Sequence, residues 1–171
     1  MKKSILLLSS LLLFAGCSPK STDQSNLFSV KVPQSIKITS MDKARELLDF
    51  GGMYSFCGAY SKLSKNADVP GHADEYLGMA DNIFALVRNA DYTGDGFDKA
   101  DHQVIDLWKK MKNINDIVNT QLTKKMAANP KMGVSDVYAI INQKKDDQHK
   151  VSYTCSTVGT ALKSFLEHPQ S

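Results

Sequence analysis

Ten apolar residues, Phe97, Ala100, Val104, Leu107, Trp108, Met111, Ile114, Val118, Leu122 and Met126, recur at intervals of three and four. At about 100° per residue they fall within an arc of about 120° on a helical wheel, with Asp98, His102, Asp106, Lys109 and Asn113 opposite. A strand, with its period of two, would scatter this stripe over both faces of a sheet. The run therefore predicts one amphipathic helix of up to about eight turns, closed by Asn129-Pro130. Its stripe needs apolar neighbours, and everything else in the chain is read as a search for them.

The neighbours are helical too. Thr39 followed by Asp42 fits a capping box. Beyond it Ala44, Leu47, Leu48, Gly51, Tyr54, Gly58 and Ala59 form one stripe, while Phe50, Met53, Phe56, Cys57 and Tyr60 occupy the other side. No charge stands between Phe50 and Tyr60, as expected of a helix in the middle of a bundle. Its glycines either let neighbours approach closely or interrupt it. Pro70-Gly71 marks a turn, and Ala73, Tyr76, Leu77, Ala80, Ile83, Phe84 and Val87 give a second helix ending near Asn89. Val134, Val137, Tyr138, Ile140 and Ile141 supply a short fourth, and Val151, Thr154 or Cys155, Val158, Ala161, Leu162, Phe165 and Leu166 a last one that stops before Pro169. The expected fold is an all-α, four- to five-helix bundle. Ahead of it, Leu27, Phe28, Val30 and Val32 alternate toward Pro33, followed by Ile36 and Ile38, an extended segment too short for a sheet of its own.

The first residues follow different rules. Lys2 and Lys3 precede an apolar stretch from Ile5 to Ala15, and the small residues Ala15 and Gly16 stand before Cys17. This is the layout of a secretory signal, and as a helix it spans about half of a ~30 Å hydrocarbon core. Leu13-Phe14-Ala15-Gly16-Cys17 resembles the lipobox of bacterial lipoproteins, with Phe14 departing from the usual Leu. The resemblance implies that Cys17 is acylated and becomes the first residue of the mature protein, and that Ser18, rather than Asp, directs it to the outer membrane. Several acyl chains would make attachment to the lipid bilayer effectively permanent. The expected organisation is a signal peptide at 1–16, a lipidated cysteine and flexible tether at 17–34, and a single helical domain at 35–168.

With Cys17 committed to lipid, Cys57 and Cys155 remain. In an oxidising compartment they can form one internal disulfide; two buried free thiols are the alternative. A bridge closing a loop of roughly a hundred residues contributes about 4 to 5 kcal/mol in the chain-entropy account. No Cys-x-x-Cys pair is present for thiol exchange.

Charge excludes one class of partner. The export segment holds two of the 21 basic residues, and the rest exceed the 18 acidic ones by a single charge. Lys109-Lys110-Met111-Lys112, Lys124-Lys125 and Lys144-Lys145 are short and read as solvated helix faces, so no nucleic-acid partner is expected.

Signals for chemistry are sparse. Asp91, Thr93, Asp95 and Gly96 match the start of an EF-hand-type calcium loop, but His102 stands where the bidentate Glu belongs and Asp98 where an apolar residue belongs. The simpler reading is a turn whose Asp95 caps the long helix. Asp98, His102 and Asp106 share a helix face at i, i+4, i+8, a spacing that suits a metal or a base with its orienting partner, yet that face is the solvated one. His72, Asp74 and Glu75 open the second helix, where acids complement the dipole. No catalytic residue, metal or cofactor is assigned.

Phe56-Cys57-Gly58-Ala59-Tyr60 is similar to the Cys-x-x-Tyr helices of small, disulfide-bonded, helical periplasmic proteins, among them immunity proteins against envelope toxins. The resemblance covers five residues. The expected function is an outer-membrane-anchored, periplasm-facing lipoprotein whose domain binds a protein or another envelope component without catalysis. Immunity against a periplasmic toxin, and a lipid-tethered hydrolase or small-ligand carrier, are the alternatives.

Overall fold

The computed structural model describes residues 27–65, 67, 69–93, 97, 100–142 and 153–168. They form five helices, α1 (Met41–Leu63), α2 (Ala73–Asn89), α3 (Ala100–Ala128), α4 (Val134–Asn142) and α5 (Val158–Glu167), with two short strands, β1 (Lys37–Ile38) and β2 (Asp91–Tyr92). The all-α domain agrees with the expectation from periodicity, and its Cys57–Cys155 staple with the expectation from the cysteine count.

α1 is the hub. It packs against α2, α3, α5 and β1, and its Phe50, Tyr54, Phe56 and Tyr60 are among the largest side chains removed from solvent. Ser40, not Thr39, caps it: the Ser40 hydroxyl accepts from the Lys43 amide at 3.3 Å, and Asp42 lies in the first turn. The glycines do not interrupt the helix, because two of them are where α2 comes closest. A Cβ on Gly51 would stand 2.6 Å from Phe84 Cε1, and one on Gly58 would stand 2.8 Å from Leu77 Cγ and 3.2 Å from the Ala73 carbonyl. Packing against α2 offsets their low helix propensity.

α3 also packs on α1 and contacts α4. Its stripe is buried at Val104, Val118, Leu122 and Met126 and half-buried at Leu107, Trp108, Met111 and Ile114. Phe97 belongs to the core but precedes the helix.

Two segments depart from expectation. The chain from Leu27 onward is packed, so the domain does not begin at residue 35: Leu27 is buried, its carbonyl accepts from the Tyr54 hydroxyl at 3.0 Å, and the Phe28 ring meets Tyr76 edge-on with centroids 4.9 Å apart. The last helix starts at Val158, leaving Cys155 in the preceding turn rather than on a helix face. The Thr154 carbonyl accepts from the Thr157 amide at 3.1 Å and from the Val158 amide at 2.9 Å, and the Thr154 amide donates to Thr157 Oγ1 at 2.8 Å, a hydrogen-bonded turn that leads into the helix.

The Ile36–Ile38 segment finds a partner that period alone did not name. β1 pairs in parallel with β2, Lys37 opposite Asp91 and Ile38 opposite Tyr92, with the Asp91 and Thr93 amides donating to the Ile36 and Ile38 carbonyls at 2.9 and 3.0 Å.

Candidate functional site

Cys57 and Cys155 are bonded, with Cα atoms 5.6 Å apart. The bridge ties the middle of α1 to the turn before α5, and both residues are buried. Two tyrosines hold the Cys155 peptide from either side: the Tyr76 hydroxyl donates to its carbonyl at 2.8 Å, and its amide donates to the Tyr138 oxygen at 2.6 Å. Burial of the sulfurs and satisfaction of the peptide make this a structural staple rather than an exchanging thiol pair. Cys17 lies outside the described residues.

The polar groups considered for chemistry are mostly given other work. Asp91 and Thr93 are fixed by the β1–β2 pairing, while Asp95, Gly96, Asp98 and the His102 side chain lie outside the described residues. Asp106 is exposed and stands 3.9 Å from Lys109. His72 Nδ1 is 3.3 Å from Glu75 Oε1, and the His72 ring lies against Phe28 with centroids 5.3 Å apart. The Glu75 carboxyl is held below its ordinary range by its own backbone amide and then by His72. Asp74 shares the first turn of α2, where negative charge complements the dipole. No group of three or more potential metal ligands occurs among the described residues.

Tyr54 and Tyr92 donate to the Leu27 and Val87 carbonyls. Burial pushes Tyr54 well above the ordinary phenol range and Tyr92 up to about 12; Tyr153, stacked on Phe50, is raised by burial and then by Asp49 and Glu46. All three stay protonated at physiological pH, so none is a base.

Between α1 and α3 runs a polar seam that period analysis did not find. Asn115 and Asn119, one turn apart, donate to Ser55 Oγ at 2.8 and 3.4 Å. Asn119 Oδ1 and Trp108 Nε1, with Thr93 Oγ1, are buried without a hydrogen-bond partner among the described residues. In sequence these amides look like ordinary polar residues bordering the apolar stripe.

A concavity of about 570 Å³ lies elsewhere, between the N-terminal extended segment and α5. Ser29, Val30, Lys31 and Pro33 form one wall, and Gly159, Thr160, Lys163 and Leu166 the other. The reading of residues 17–34 as a tether hid this groove. Its only sequence signal was the alternation running into Pro33.

No family model, curated protein or solved structure matches this chain.

Proposed function

We propose that the chain is an exported lipoprotein, acylated at Cys17 and held at the periplasmic face of the outer membrane, whose helical domain binds a protein of the cell envelope without catalysing a reaction. The observation that carries the reading is the Cys57–Cys155 disulfide in a chain that opens with an export-type segment. A buried staple of this kind belongs to an oxidising compartment, and the signal layout supplies the route there. Ala15-Gly16-Cys17 supplies the anchor.

Packing from Leu27 onward shortens the connection. Ten residue steps separate Cys17 from Leu27, a covalent reach of about 33–36 Å. A domain confined to so thin a layer meets envelope proteins at a high effective concentration, which lets a modest binding face suffice.

Mass spectrometry of membrane-extracted protein tests the anchor: an acylated N-terminal Cys17 is expected, and an unmodified chain cut elsewhere refutes it. The partner is tested by crosslinking in intact cells, followed by purification of the protein beside a version with the same anchor but lacking residues 39–168. A defined envelope protein enriched only with the intact domain supports the reading. A turnover activity abolished by changing His102 or Asp106, with no protein enriched, overturns it.

A further inference from the structure

The groove between the N-terminal segment and α5 is lined on one wall by Ser29, twelve residues after Cys17 in the sequence, and on the other by α5. We propose that this groove binds the headgroup of an anionic phospholipid. The proposal rests on the lipid-anchored reading, because an acylated Cys17 ten residues before Leu27 keeps the chain entry, and the groove wall that begins two residues later, within about 33–36 Å of the bilayer.

The lining has the chemistry of that ligand. Lys31 and Lys163 are exposed cations on opposite walls, and Val30, Pro33 and Leu166 add apolar surface to the lining. A phosphodiester between the lysines would set the glycerol and its first methylenes against the apolar residues. The volume, about 570 Å³, suits a headgroup and the glycerol stem rather than a whole lipid. Glu167 is the one acid in the lining, 3.8 Å from Lys163 with both side chains more than half exposed. Such a pair is weak and salt-screened, so Lys163 can exchange it for phosphate. A zwitterionic headgroup offers the same phosphate but brings an ammonium toward two lysines. Charge therefore favours an anionic lipid.

The test uses the lipidated full chain reconstituted in phosphatidylethanolamine vesicles containing either phosphatidylglycerol or phosphatidylcholine. A photoreactive benzoylphenylalanine replaces Ser29 on the groove wall or, as a control, Asp81 on the exposed side of α2. Illumination should give a lipid adduct at Ser29, several-fold stronger with phosphatidylglycerol, and little at Asp81. Lys31→Glu with Lys163→Glu should weaken the adduct by about fivefold per lysine, while Lys→Arg at both retains it. Both positions are exposed, so an unchanged helical spectrum and an intact disulfide should accompany the loss. A chain that does not float with vesicles before illumination overturns the anchor and this proposal together. One that floats but gives equal adducts with the two lipids, or is indifferent to charge reversal, overturns the headgroup site alone. Inorganic phosphate at millimolar concentration should leave the adduct in place; its disappearance would mark a free-phosphate site and overturn the lipid assignment.

Discussion

Gly51 and Gly52 are adjacent in α1, yet alanine should move stability in opposite directions at the two positions. Replacing either glycine removes the same helix penalty, about 1 kcal/mol. What differs is the space. At Gly52 the new methyl meets only Asn115 Oδ1 at 3.9 Å, ordinary contact, so Gly52→Ala should stabilise by up to about 1 kcal/mol. At Gly51 it would lie 2.6 and 2.9 Å from two carbons of the Phe84 ring. That ring is partly buried and lines a hollow with Met53 and Met111, so turning it away exposes apolar surface, while moving α2 strains the rest of the contact. Overpacking of this kind costs about 1–3 kcal/mol. The helix term is common to both and cancels, so the two variants should differ by about 1–3 kcal/mol, or roughly 2–12 °C in melting temperature for a chain of this size. Thermal unfolding followed by far-UV circular dichroism reads the difference directly, and a cycle with Phe84→Ala should show the Gly51 penalty shrinking when the ring is absent. If both alanines shift the melting temperature equally, or the cycle shows no coupling, the close approach of α1 and α2 at Gly51 is wrong.

Replacing Cys57 and Cys155 together by alanine should lower unfolding free energy by up to about 4–5 kcal/mol, since the bridge spans 98 residues; urea unfolding of the pair beside the native protein measures it, and an unchanged midpoint contradicts the staple. Ser55→Ala removes the acceptor of two part-buried amides and should cost about 1–3 kcal/mol by the same assay, more than an alanine at exposed Ser164. Alkaline pH should destabilise the fold. Tyr92, whose folded value is raised from about 10 to about 12, favours the native state fully below pH ~10 and loses that contribution as pH rises through 12. Urea midpoints measured from pH 9 upward should therefore fall, less steeply in Tyr92→Phe; a flat profile would count against its burial.

Helical period by itself determines a large part of this protein. A stripe repeating every three to four residues can be buried on one side only as a helix, so the five helices, the α2 boundary near Asn89 and the stop of α5 before Pro169 were legible, and two cysteines left by the lipobox reading allow one internal bridge. Tertiary structure decided the rest. Whether Gly51 and Gly58 break a helix or admit a neighbour depends on where α2 lies, which no property of α1 encodes. The pairing of Ile36–Ile38 with Asp91–Thr93 joins segments more than fifty residues apart, and the Asn115–Asn119–Ser55 seam exists only because two helices meet there. The same holds for the groove walled by Val30 and Leu166: each side is a few unremarkable residues, and a concavity appears only when the N-terminal segment is laid beside α5. Periodicity is a property of one element and survives in the sequence, whereas a surface shared by two elements depends on their relative placement, which is fixed by the sum of weak contacts across the whole core.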